Sequence, residues 1–335
     1  MKVLFIGGTG TISTAITALC AQQEVDLTLL NRGTYGQEIP DAVKTITCDI
    51  EDEETAKELV YGEDYDVVVD FIAFTVPQVE RDIRLFSEKT KQFIFISSAS
   101  AYQKPLSNWQ ISERTPVANP FWTYSQDKIA CEERLMAEYR EKGFPVTIVR
   151  PSHTYGDRKL PGGVHGRMGS WQVFRRMQEN KPVIVHGDGL SLWAFMYNKD
   201  FARGFMGLMG NPHAIGETVQ ITADEVLTWN QSYRIIGEKL GVVPILAPIS
   251  SLTLETENPD LKGSLIGDKA NSLVFDNSKL KALVPGFEPA YRFDQGAEIV
   301  LSNILAHPEL QPQDPEFDRW SDQMIEKYCP AVFTP

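Results

Sequence analysis

Lys2-Val-Leu-Phe-Ile6-Gly7-Gly-Thr-Gly10-Thr-Ile-Ser13 opens the chain and decides its fold. The first five residues are mostly apolar and predict a strand, and the amphipathic stretch 11–22 predicts a helix immediately behind the glycines. A strand, a glycine turn and a helix in that order form a cradle for a pyrophosphate. Gly7 permits the tight turn, and Gly10 lets backbone N–H groups approach an anion at the positive end of the helix. Ser13 is small enough for close packing of helix on strand, while Thr11 and Ile12 start the helix beside the bound group.

The rest of the first 150 residues repeats this rhythm. Apolar runs at 25–30, 44–47, 66–73, 92–97 and 145–150 alternate with helical stretches such as 77–88 and 121–142. Continuous apolar strands separated by helices predict a parallel sheet covered on both faces, and right-handed crossovers make it doubly wound. The expected class is therefore α/β: a parallel Rossmann sheet with a smaller C-terminal α/β lobe for substrate.

After residue 155 the rhythm breaks. A Gly-rich loop at 160–166 leads to a helix near 170–179, a strand-like run at 182–186, and a helix at 201–209 with Asp200 as its N-cap. The run Glu217-Thr-Val-Gln-Ile-Thr222 predicts one more parallel strand. Helices near 225–240 and 294–306 are separated by irregular chain, and the tail from 308 is expected to wrap the surface. The dinucleotide domain thus takes 1–155 with about 194–222, and the substrate lobe takes about 156–193 with 223–335.

The chain has 335 residues, 42% hydrophobic and 23% charged, enough for a well-buried core. Its net charge of −13 repels phosphate backbones, so nucleic acid is an unfavourable partner. No apolar run reaches membrane-spanning length and no signal peptide is recognisable. Cys20, Cys48, Cys131 and Cys329 are scattered, as expected for reduced thiols of a cytoplasmic protein. The five histidines show no metal-ligand spacing, so no metal is expected.

The second strand ends at Asn31-Arg32-Gly33, 21 residues beyond Gly10 at its start. NAD-selective sites usually place a carboxylate here for the ribose hydroxyls. Asn31 is neutral and Arg32 could clamp a 2′-phosphate, which favours NADP, with NAD the alternative. The third strand ends at Asp49-Ile50, where an acidic residue followed by an apolar one can bracket the adenine.

Tyr124-Ser-Gln-Asp-Lys128 places a phenol and an ammonium one helical turn apart. A phenol titrates near ~10 in water, and a cation held alongside favours its phenolate. The second copy of the spacing, Tyr155-x-x-x-Lys159, is interrupted by Gly156 and followed by Pro161-Gly-Gly163, which argues against a helix there. The fifth strand runs into Ser97-Ser98-Ala-Ser100, 26 residues before Tyr124 at Ser98, so a hydroxyl points into the crevice at the strand's end. Strand register decides whether Ser97, Ser98 or Ser100 is that hydroxyl.

Glycine loop, Ser98, Tyr124 with Lys128, and Arg150-Pro151-Ser-His-Thr-Tyr-Gly156 follow one another as in the extended short-chain dehydrogenase/reductases. The chain resembles this family, also called the NAD-dependent epimerase/dehydratase family, over at least residues 1–222. The resemblance implies that Tyr124 is the acid/base, that Lys128 binds the nicotinamide ribose and lowers the pKa of Tyr124, and that Ser98 hydrogen-bonds the reacting oxygen. It also implies that Phe71-Ile72-Ala73 line the pyrophosphate and ribose, that Pro151-Ser152-His153 border the nicotinamide, and that Ser97 belongs to the cofactor side. Homodimers through the Tyr124 helix are common in the family.

Hydride transfer coupled to proton transfer at a C–OH/C=O centre follows from such a set, giving a reductase or an epimerase. Dehydratases of the family carry Asp-Glu after the strand-five hydroxyl, whereas this chain has Ala99-Ser100. Its nucleotide-sugar epimerases carry a diphosphate-binding arginine where Trp193 stands here, so Arg167, Arg175, Arg176 or Arg203 would have to substitute. A small sugar-like substrate, a nucleotide sugar included, is the expected partner. The alternative is a catalytically silent or RNA-associated protein of the same fold, as the chloroplast stem-loop-binding proteins of the family are.

Overall fold

Four consecutive residues of the first strand, Val3 to Ile6, are completely buried, which requires cover on both faces of the sheet. The computed structural model describes residues 1–34, 39–60 and 62–333. Its main sheet has seven strands: β1 (Lys2–Ile6), β2 (Asp26–Asn31), β3 (Lys44–Thr47), β4 (Val67–Asp70), β5 (Phe93–Ile96), β6 (Val146–Pro151) and β7 (Thr218–Ile221). They lie parallel in the order β7-β6-β5-β4-β1-β2-β3.

The helices that cover it are α1 (Ser13–Gln22), α2 (Glu53–Val60), α3 (Val76–Phe86), α4 (Thr123–Lys142) and α5 (Asn198–Leu208). Side chains alternate along β1 and thereby sort the core. Val3 and Phe5 share one cluster with Ile16 of α1 and Phe201 and Phe205 of α5. Leu4 and Ile6 share the other with Ala56 of α2, Val79 and Phe86 of α3 and Leu135 of α4. The strand order reverses between β1 and β4, so the crevice opens beyond their C-terminal ends. The glycine loop leaves β1 there, and Phe71-Ile-Ala73 leaves β4.

Two glycines share the turn after β1, with φ +99° at Gly7 and +100° at Gly8. At Gly8 a Cβ would lie 2.6 Å from Leu29 Cδ2 of β2, so this position has no room for a side chain. The run expected at 66–73 ends as a strand at Asp70. There the carboxylate accepts the backbone N–H groups of Ile72 and Ala73 and turns the chain.

Asp200 is not the cap of α5. The helix begins at Asn198, and the Asp200 carboxylate instead accepts N–H groups of Ala290 and Tyr291, both at 2.9 Å. The tail is also more ordered than a surface wrap. Pro315–Tyr328 is a helix that buries Phe317, Met324 and Ile325, and its Asp318 and Asp322 hold the buried Arg176. Tyr155 ends a short strand, His153–Tyr155, and stacks on Tyr197, while Lys159 closes a turn with Gly156. That second Tyr/Lys spacing has no helical geometry.

Candidate functional site

Tyr124 and Lys128 lie in the first turns of α4, whose start is held against the β5 exit by Ser125 Oγ donating to Ser100 Oγ at 2.8 Å. Lys128 is buried and donates to the carbonyls of Ala73 (2.6 Å) and Ile96 (2.7 Å), bridging the ends of β4 and β5. Its ammonium lies 4.4 Å from the centre of the Phe74 ring and 6.0 Å from that of Tyr124. Loss of water brings Lys128 down to about 8, with Asp70 opposing the shift.

The Tyr124 phenol moves the other way. Burial pushes its pKa up, and a hydrogen bond with Ser98 only partly offsets this. In the protein without ligand, burial outweighs any help from the Lys128 charge. Desolvation wins because the ammonium's protons are directed at two carbonyls rather than at the phenol.

Of the three serines, Ser98 and Ser100 both line the cavity in front of Tyr124, and Ser98 shares a hydrogen bond with the phenol. The Ser98 Oγ lies 2.9 Å from that of Ser100 and accepts the Ser100 N–H at 3.1 Å. Ser97 points the opposite way, as strand alternation demands, and donates to the buried Glu132. Its side chain is not among those lining the Ser98–Tyr124 cavity. Ser100 is buried and held between Ser98 and Ser125.

A cavity of about 220 Å³ opens onto these groups, walled by Ser98, Tyr124, Trp122, Trp193, Pro151-Ser-His153 and Asp268. His153 packs edge-on against Trp193, Phe195 and Trp229, and burial holds its pKa well below the usual imidazole value. Trp193 is itself buried, its indole donating to the carbonyls of Lys269 and Asn271 at 3.1 Å each. Among the described residues no arginine lines the cavity. Arg175 pairs with Glu179, Arg176 with Asp318 and Asp322, and Arg203 with Asp200, while Arg167 lies in solvent near Asp260. Asp268 escaped the sequence reading altogether.

The switch-point crevice opens beyond the C-terminal ends of β1 and β4. Gly10 and Thr11 are exposed at the start of α1, and Ile12 packs partly into the core as the residue before it. Asn198 Nδ2 donates to the Thr11 carbonyl at 2.8 Å, a support for the loop with no signal in the sequence. Asn31 Oδ1 accepts the Gly33 N–H at 2.9 Å, whereas its buried Nδ2 has no partner. Arg32 is largely exposed, 3.9 Å from Asp49, and Ile50 is buried beneath.

Phe71 is turned into the core against Phe5 and Phe205, and Ala73 is buried. Ile72 and Phe74 instead present large apolar surfaces, 41% and 45% exposed, at the edge of β4. An orphaned amide at Asn31, a glycine turn without room for Cβ, and two bare apolar side chains fit a nicotinamide dinucleotide laid across the switch point. Asp70, which shapes this turn, is buried against Arg81 at 3.2 Å, and the neighbouring Asp82 carboxyl is raised by burial and by Asp70.

Together the sheet and its crevice define a doubly wound α/β protein of the dinucleotide-binding kind. More closely, the chain belongs to the NAD dependent epimerase/dehydratase family, whose model matches residues 3–222. It is 25% identical over 238 residues to an uncharacterized UDP-glucose epimerase, YtcB, of Bacillus subtilis (strain 168), covering 71% of this chain and 67% of that one. It is 23% identical over 244 residues to the chloroplast stem-loop binding protein of 41 kDa b of Arabidopsis thaliana, covering 68% of this chain and 60% of the relative. Among solved structures, UDP-glucuronic acid 4-epimerase from Bacillus cereus, in complex with NAD, superposes with a TM-score of 0.74 at 19% identity, covering 93% of this chain and 100% of that one. Among the described residues no helix is long and apolar enough to cross a membrane.

Proposed function

We propose that this protein is a nicotinamide-dependent sugar-nucleotide epimerase, with a UDP-hexose as substrate. The observation that carries the proposal is the single cavity in which Ser98 and Tyr124 share one wall, with Lys128 buried behind the phenol. Its volume of about 220 Å³ suits one sugar ring, and the indoles of Trp122 and Trp193 offer apolar faces to it. The relatives named as UDP-sugar epimerases support the same substrate class.

The bound nicotinamide would accept and return a hydride. The chain's own part is proton transfer and orientation. Tyr124 Oη takes the hydroxyl proton as the carbinol becomes a ketone, and returns it when the ring is reduced on its other face. Ser98 Oγ holds the reacting oxygen, and Lys128 steadies the phenolate by its charge once that charge forms. Ala99-Ser100 in place of Asp-Glu argues against dehydration.

Incubation with NADP or NAD and UDP-glucose, followed by proton NMR, is expected to build up UDP-galactose with at least one of the two cofactors. Neither product nor cofactor reduction with any UDP-hexose would overturn the proposal. Salt-sensitive affinity for a stem-loop RNA that survives Tyr124→Phe would place the chain with the binding proteins instead.

On the cofactor, the neutral Asn31 and the exposed Arg32 favour NADP, Asp49 being a long and exposed partner for the guanidinium. Arg32→Ala is expected to weaken NADP about 10-fold and NAD by less than about 2-fold, as calorimetry would show. Equal losses for both cofactors would remove Arg32 from the argument.

A further inference from the structure

Asp268 supplies the carboxylate in the wall of the Ser98–Tyr124 cavity. Its Oδ1 is shut off from bulk solvent and has no hydrogen-bond partner. A buried acceptor left in this way costs about 1–3 kcal/mol, and more when charged. The neighbouring cations do not relieve it. Lys269 Nζ donates to the carbonyls of Gly162 (3.2 Å) and Gly163 (2.9 Å), and Lys104 Nζ donates to that of Tyr102 (3.4 Å). Both lysines act on the Asp268 charge through space and oppose the rise that burial gives its pKa, to about 6.

The backbone that carries Asp268 is also held in place. The carbonyl of Gly267 accepts from Asn119 Nδ2 at 2.7 Å, and the same amide donates to the Ser100 carbonyl at 2.8 Å. One side chain thus ties Asp268 to the serine loop. Gly263 closes on Trp122 so tightly that a Cβ would lie 2.1 Å from Cδ1, and the Trp122 ring lies 4.9 Å from that of Tyr124. The backbone here makes a wide turn, with Ala270 N–H reaching the Leu265 carbonyl five residues back at 2.9 Å. Such turns recur at functional sites because the extra residue re-aims a side chain off the helix face.

We propose that Asp268 is the substrate-anchoring carboxylate of this cavity, accepting a hydrogen bond from a hydroxyl of the sugar ring that Tyr124 acts on. The proposal rests on the sugar-nucleotide reading and extends it to a named contact. A hydroxyl suits the place better than an ammonium, because Lys104 and Lys269 already oppose any cationic guest. A wall that carries a carboxylate and two indoles also matches the polar rim and apolar faces of a sugar.

The test measures binding of UDP-glucose and its 2-, 3-, 4- and 6-deoxy forms to the wild type, Asp268→Asn and Asp268→Ala, each loaded with whichever of NADP and NAD binds more tightly, by titration calorimetry. One deoxy form is expected to lose about 10-fold or more against the wild type and almost nothing against Asp268→Ala. Unchanged affinity for that cofactor shows that the variants fold. If every deoxy form loses equally in all three proteins, the assignment is overturned while the substrate reading stands. If the wild type ignores UDP-glucose but binds methyl glucoside, the nucleotide part of that reading fails and the same cycle with deoxy glucosides decides Asp268. If neither binds, both fall.

Discussion

Tyr124→Phe is expected to lower turnover by about 10²–10⁴-fold while leaving NAD and NADP affinities within about 2-fold of the wild type. The substitution removes one oxygen and keeps the ring, whose contacts are with Trp122 and Phe74. The fold should therefore be indifferent to it. What is lost is a group that can exchange a proton at the carbon losing or gaining hydride. Without a bound ligand the phenol is held above its ordinary pKa by burial, so ionisation has to be assisted inside the complex.

Lys128 is placed to assist through its charge, and its own lowered pKa of about 8 sets a limit. Because the depressed group is protonated below that value and neutral above it, the help it gives should fade as pH rises through about 8. A pH–rate profile of Lys128→Met, compared with the wild type, reads this directly. The two curves should differ most below about pH 8 and converge above it. A Tyr124→Phe enzyme with near-normal kcat would refute the assignment of the proton to this residue.

Much of the site was legible because its parts are local. A strand buried on both faces announces itself by an unbroken apolar run, and Tyr124 and Lys128 need only one helical turn to meet. The parts that were not legible depend on partners remote in sequence. Gly8 is indispensable because Leu29 of β2 fills the space beside it. Asp200 has the composition of a cap, yet N–H groups of Ala290 and Tyr291 claim its carboxylate. Ser97 and Ser98 are indistinguishable by type, and only the register of β5 sends one to Glu132 and the other to the cavity. Asp268 follows Tyr124 by 144 residues, on a wide turn with no periodic signature, so nothing in the sequence pairs the two.

Glu132→Ala is expected to destabilise the protein by about 3–5 kcal/mol. Glu132 continues the stripe of Tyr124 and Lys128 one turn further along α4, and its carboxylate is buried under β5 and β6. There it accepts two hydrogen bonds from Arg150, Nε at 2.9 Å and Nη2, and a third from Ser97. The Arg150 guanidinium also lies 4.7 Å over the ring of Tyr102, whose hydroxyl donates to Gln220 of β7 at 2.8 Å. One polar chain therefore joins β5, α4, β6 and β7 directly beneath Ser98 and Lys128.

Truncating Glu132 strands a buried guanidinium that already has one unpartnered nitrogen, Nη1, and that cannot lose its charge. Thermal unfolding should show a loss on the order of 10 °C. Removing both partners should cost less than the sum, because no orphaned charge remains. Glu132→Met with Arg150→Met is thus expected to regain most of the stability. If the double variant is as unstable as the two single losses added together, the pair is not coupled. The network would then be packing around two independent charges rather than a strut for the catalytic turn of α4.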